Sequence, residues 1–153
     1  MIYIGVDPGA SGAIACLSDS MAQWYSVCRL KETERDIADW LEEILGFWHG
    51  VLTGYPRKAW IEKVHAMPRQ GVSSTFKFGR SYGYCRGLLI AKGIPFEEVS
   101  PQTWQKALGC LSRGDKNVTK ARAQQEFPWI KITHATADAL LIAEYGRRLG
   151  VKS

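Results

Sequence analysis

Three acidic residues stand inside otherwise apolar runs. Asp7 closes Ile2-Tyr3-Ile4-Gly5-Val6, Glu62 follows Ala59-Trp60-Ile61, and Asp138 interrupts Ala137-Asp138-Ala139-Leu140-Leu141-Ile142-Ala143. A charge in a core element is costly unless something compensates it. A divalent cation would compensate all three carboxylates together. Hard cations such as Mg²⁺ or Mn²⁺ take oxygen ligands. A two-metal site suits in-line phosphodiester hydrolysis, with one ion activating the attacking water and the other stabilising the leaving 3′ oxygen. Taken singly, each residue also has a plainer reading. An Asp before Pro-Gly forms turns, a lone strand Glu faces solvent, and a lone helix Asp sits on the wet face.

The elements that carry these residues follow from hydrophobic periodicity. Residues 2–7 read as a short buried strand, Asp7-Pro8-Gly9-Ala10-Ser11-Gly12 as a turn, and Ala13 to Leu17 as a returning strand. Gln23 to Leu30 supplies a third strand and completes a meander. Ile37, Trp40, Leu41, Ile44, Leu45 and Trp48 recur at helical intervals over 34–49. Residues 59–64 form a strand, His65 to about Ser74 a loop, 75–92 a helix and 96–99 a short strand. Ser100-Pro101 opens a helix with Pro at its first position. Ser112 to Lys116 is a basic loop, 117–126 a helix stopped by Pro128, and about 134–149 the last helix. The order βββαβαβα(α)α predicts an α/β domain with helices packed on a mixed sheet.

The 153 residues suit one domain spanning 1–153, with 46% hydrophobic and 23% charged residues. Cys16, Cys28, Cys85 and Cys110 show neither CxxC nor zinc spacing. No signal peptide precedes Met1, so reduced thiols in a cytoplasmic protein are the expectation. No apolar run reaches the length of a membrane span.

The net charge of +5 is unevenly placed. Residues 57–92 carry eight basic side chains, among them Arg69, Lys77 and Arg80, against Glu62 alone, whereas 32–43 are strongly acidic. A second basic group, Arg113, Lys116, Lys120 and Arg122, flanks the later loop. Basic surface beside a proposed catalytic Glu62 points to a phosphate backbone bound in a salt-dependent, largely sequence-independent way.

Gly5-Val6-Asp7-Pro8-Gly9 resembles the DxG opening of RuvC-type Holliday-junction resolvases, and Trp60-Ile61-Glu62 resembles their second acidic strand. Ala137 to Tyr145 is similar to their C-terminal catalytic helix, and Ser100-Pro101-Gln102-Thr103-Trp104-Gln105-Lys106 to their S-P-x-x-W-K-K region. Phe76-Lys77-Phe78-Gly79-Arg80-Ser81-Tyr82-Gly83 looks like phage and organelle relatives. The ordered set covers nearly the whole chain. The resemblance implies an RNase H-like fold with a mixed five-stranded sheet and helices on both faces. It also implies Mg²⁺ or Mn²⁺ on Asp7, Glu62 and Asp138, and cleavage of four-way and other branched DNA with paired nicks.

Further expectations come with it. A C2 homodimer, formed through the helix in 75–92, would match the two-fold symmetry of a junction. The loop after Glu62 reaches the branch point in resembling enzymes, which makes Met67 a candidate wedge and Arg69 a DNA contact. Lys77, Arg80, Arg113, Lys116 and Lys120 are the other candidate DNA contacts, with Lys116 or Lys120 set to stabilise the scissile phosphate. Phe76, Phe78, Tyr82 and Tyr84 suit core or dimer packing better than base stacking.

One position departs from the pattern. The family usually has a fourth metal-binding residue three before the helix Asp, and Ala135 stands there. His134, one turn before Asp138, shares its helix face and is a candidate fourth ligand or general base. Glu144 lies on another face. If Ala135 replaces a carboxylate, the chain is instead a catalytically weakened binder of branched DNA. An ATP-handling protein of the actin and sugar-kinase class shares the core and an Asp-x-Gly opening, but needs two such domains.

Overall fold

The computed structural model describes residues 1–19, 23–51, 55–63 and 71–150, with backbone only for 47–51. Met67 and Arg69 lie outside the described residues, as does the rest of 64–70. Ten elements follow in the order β1 (Ile2–Asp7), β2 (Ala13–Ser18), β3 (Tyr25–Arg29), α1 (Glu34–Val51), β4 (Arg57–Glu62), α2 (Val72–Ala91), β5 (Phe96–Val99), α3 (Pro101–Ala107), α4 (Lys116–Glu126) and α5 (His134–Gly150). The strands form one sheet in the order β3-β2-β1-β4-β5. The meander pairs are antiparallel, and β1–β4 and β4–β5 are parallel, so the sheet is mixed.

The sheet is covered on both faces. Alternate residues of a strand point to opposite sides, and Ile2, Ile4 and Val6 pack with Ile37, Leu41 and Leu45 of α1 and Cys85, Leu88 and Leu89 of α2. Tyr3, Ala13, Ala15 and Trp60 face the other way, against Trp104 of α3, Ala123 of α4 and the long apolar stretch of α5. Burial on both faces explains why β1 and β2 read as continuous apolar runs rather than alternating ones.

Helix α5 lies directly on β1 because both surfaces are small at the contact. A Cβ on Gly5 would sit 2.0 Å from the Ala139 carbonyl oxygen, and one on Gly146 would sit 2.2 Å from the Trp60 ring. Ala135, Ala139, Ala143 and Gly146 recur at helical spacing on one side of α5. This contact fixes the height of Asp138 above β1.

Several boundaries differ from the sequence expectation. Helix α2 begins at Val72, inside the segment read as loop, with Gly71 as its extended N-cap and the Thr75 hydroxyl donating to the Gly71 carbonyl at 3.2 Å. The serines at 73 and 74 are tolerated there because first-turn amides need no intrahelical partner. β3 is shorter than 23–30, and β4 starts at Arg57 through parallel pairing with β1. Helix α4 takes Lys116 from the expected loop, with Asp115 accepting the Asn117 amide at 2.9 Å as its cap. All four cysteines are free and buried, and burial pushes the Cys16 and Cys85 thiols up to about 12.

Candidate active site

Asp7 and Glu62 are the last residues of two neighbouring parallel strands. Val6 pairs with Ile61, so both carboxylates emerge at the same carboxyl end of the sheet, the end at which open α/β sheets place their ligands. The turn after Asp7 is built around it. The Gly9 amide donates to Asp7 Oδ1 at 3.0 Å, the Gly12 amide donates to the Gly9 carbonyl at 2.9 Å, and a Cβ on Gly12 would sit 2.0 Å from the Asp7 carbonyl oxygen.

Asp138 arrives from α5. It is half-buried, and its Oδ1 is fully enclosed with no hydrogen-bond partner among the described residues. The three carboxylates are within electrostatic range of one another. Burial pushes the Asp7 carboxyl up to about 6, with the Asp138 charge adding to the effect against the Gly9 bond and Lys116. Burial likewise pushes Glu62 up to about 7, helped by Asp7 and Asp138 and opposed by a hydrogen bond from Trp104 and by Lys116. Asp138 is also raised by burial, with Thr119, Lys116 and His134 lowering it.

The sequence-derived site residues therefore separate into groups. Asp7, Glu62 and Asp138 come together, and the Lys116 ammonium acts on all three. His134 is exposed at the start of α5 and close enough to act on Asp138, while Ala135 is buried. Lys77 and Arg80 line an open groove of about 600 Å³ between α2 and the entry to α1, together with Lys31, Phe76 and Ala10 of the turn after Asp7. Arg80 is exposed and pairs with Glu34 at 3.0 Å. Arg113, Lys116 and Lys120 belong to α4 and the loop before it, on the opposite face of the sheet from α2. Arg113 takes the left-handed backbone (φ 50°) ahead of Gly114 (φ 95°). Glu144 is fully buried and held by Arg147 and Arg148 at 2.7 and 2.8 Å, away from the carboxylates.

Two contributors were not singled out from sequence. Trp104, fully buried, donates its indole N–H to Glu62 Oε1 at 2.9 Å. Thr119, also buried, lies beside Asp138. Trp104 stood in the sequence as the tryptophan of the run similar to S-P-x-x-W-K-K, with no role attached to it, and Thr119 only as a position one turn into a helix that otherwise reads as polar.

The donor set fits a hard divalent cation. It is all oxygen, the Asp138 charge raises both Asp7 and Glu62, and one enclosed carboxylate oxygen lacks a partner among the described residues. Among the described residues, no group of three or more His, Cys, Asp or Glu side chains is placed close enough to hold a metal ion as it stands. Asp7, Glu62 and Asp138 are the residues that would hold the ion. When bound, it would activate water and neutralise charge on a phosphodiester.

No family model matches the chain, and no curated protein matches it. Solved structures do. The chain is similar to Thermus thermophilus RuvC in complex with Holliday junction substrate, at 19% identity and a TM-score of 0.60, over 98% of this chain and 96% of that one. It is also similar to a second Thermus thermophilus RuvC structure, at 18% identity and a TM-score of 0.58, over 98% and 97% of the two chains. The fold is that of RuvC-type resolvases, an RNase H-like α/β fold. No helix among the described residues is long and apolar enough to cross a membrane.

Proposed function

We propose that this chain, which has a RuvC-type resolvase fold, is a divalent-metal-dependent endonuclease that cuts four-way and other branched DNA with paired nicks. The observation that carries the reading is that Asp7, Glu62 and Asp138, from two strands and a helix, lie within electrostatic range of one another at one end of the sheet, with the Lys116 charge acting on all three. Asp7, Glu62 and Asp138 hold Mg²⁺ or Mn²⁺. Lys116 stabilises the scissile phosphate, and Lys77 and Arg80 on one face with Arg113 and Lys120 on the other hold the flanking backbone. Met67 and Arg69 are proposed for the branch point on the sequence alone.

The chain acts as a homodimer through α2. Val72, Phe76 and Ile90 of α2 are 87%, 72% and 64% exposed, and Gly79, Gly83 and Gly87 between them have open space where a Cβ would stand. At 100° per residue all six fall on one side of the helix, a smooth apolar face suited to close approach of a second helix. Two active sites related by a two-fold axis would then nick two matching strands.

The test is cleavage of a labelled four-way junction with Mg²⁺ or Mn²⁺, beside linear duplex and a binding assay. Symmetric nicks on the junction alone support the reading, and indifference to the junction overturns it. A second reading, a branched-DNA binder with a weakened metal site, is favoured by the buried methyl of Ala135 where the resemblance puts a ligand. Under that reading Ala135→Asp gains cleavage and metal affinity. No gain in either rejects it.

A further inference from the structure

We propose that Trp104 is a positioning residue of the carboxylate centre, acting by holding Glu62 for metal binding. This inference rests on the nuclease reading above. The bond from the indole N–H occupies Glu62 Oε1 and leaves Oε2 for an ion. A glutamate has three rotatable side-chain bonds and loses more freedom on ligation than an aspartate. Asp7 is already fixed by the Gly9 amide, and Glu62 is fixed from the side by Trp104.

Trp104 can do this because the core encloses it. It is fully buried in the core shared with Leu108, Cys110, Ala137 and Leu140. The Ser100 hydroxyl accepts the Thr103 amide at 3.2 Å and Pro101 opens the helix, so the first turn of α3 is locked. That turn follows β5, whose Val99 pairs with Glu62 and accepts the Lys63 amide at 2.8 Å. Donor and acceptor thus hang from one strand pair. The next residue, Gln105, accepts the Ser112 amide at 3.0 Å and steadies the loop leading to Lys116. Helix α3 therefore fixes Glu62 and the approach to Lys116 from adjacent residues.

Core packing does not by itself explain this aim. Trp60 is almost as buried, and its indole N–H has no partner among the described residues. This core tolerates a tryptophan without its hydrogen bond, whereas Trp104 directs its donor at a site carboxylate.

Trp104→Phe keeps an aromatic ring and removes the donor. Partners that orient metal ligands typically contribute 10- to 100-fold in metal affinity, so Mg²⁺ and Mn²⁺ binding by calorimetry should weaken by roughly 10-fold or more. The loss should disappear in a Glu62→Gln background, because the effect runs through Glu62. The indole N–H resonance assigned to Trp104 should move on Mg²⁺ addition and in Glu62→Gln. If Trp104→Phe fails to fold, that resonance decides the matter in the otherwise unchanged chain: one of the six tryptophan signals must respond to both changes. A folded Trp104→Phe with unchanged affinity, or an indole signal indifferent to Glu62→Gln, overturns the positioning role while leaving the nuclease reading intact. A parent chain that binds neither ion overturns the nuclease reading, and this inference with it.

Discussion

Gly5 of β1 and Ala139 of α5 approach so closely that a Cβ on Gly5 would lie 2.0 Å from the Ala139 carbonyl oxygen. The strand that ends in Asp7 and the helix that carries Asp138 are thereby held at backbone contact. Gly5→Ala must push α5 off the sheet, since both obstacles, the Ala139 oxygen and the Ala143 nitrogen, belong to the backbone. Overpacking of this kind costs roughly 3 kcal/mol or more. Urea denaturation should show that loss, and the surviving folded protein should bind metal poorly because Asp138 has moved away from Asp7.

Asp7→Asn should abolish cleavage, spare junction binding and stabilise the metal-free protein. The Asp7 and Glu62 carboxyls stand at about 6 and about 7 in the fold, above their ordinary values. The folded state then binds protons more tightly than the unfolded chain. The contribution of these two carboxyls to stability without metal is fully present below about pH 4 and is lost as pH rises through 6 and 7. Removing the Asp7 charge relieves up to about 3 kcal/mol of that penalty above pH 7. Thermal melts of both proteins from pH 4 to 8 in EDTA should converge at the acid end and separate at the alkaline end. A variant that loses junction binding as well would assign Asp7 a structural role.

The same shifts set the pH dependence of metal binding. The ion competes with protons for Asp7 and Glu62, so stabilisation by Mg²⁺ should be large at pH 8 and small at pH 6, with protons released on binding. Calorimetry in two buffers of different ionisation enthalpy reads that release directly. Equal stabilisation at both pH values would place the ion elsewhere.

Gly83→Glu should give a folded monomer. Gly83 lies on the exposed apolar face of α2 with open space around it, so the variant meets no clash among the described residues. Sedimentation should show the dimer lost, and junction cleavage should fall from paired to single nicks. An unchanged sedimentation coefficient would move the dimer interface off α2.

Much of this was legible in the sequence because period and punctuation carry it. Apolar runs marked β1, β2 and β4, the i, i+3, i+4 pattern marked α1, and the Ser100-Pro101 pair marked the start of α3. The carboxylates were visible as charges inside apolar elements. Tertiary contact was less visible. The 72–74 segment read as loop from its serines but is the first turn of α2, and the bond from Trp104 to Glu62 joins residues 42 apart. The fate of Glu144 was half legible. Its helix face set it apart from Asp138 and its spacing put Arg147 and Arg148 beside it, but its near-complete burial came only from tertiary packing.

The central claim is that the carboxylate centre cuts branched DNA with a divalent ion. The most direct test is a labelled four-way junction incubated with the wild-type chain and with Asp7→Asn, in Mg²⁺ or Mn²⁺ and in EDTA, beside linear duplex of the same sequence. Symmetric nicks on the junction only, dependent on the ion and absent from Asp7→Asn, are the predicted result. Cleavage that persists in EDTA or in Asp7→Asn, or that treats junction and duplex alike, would contradict it.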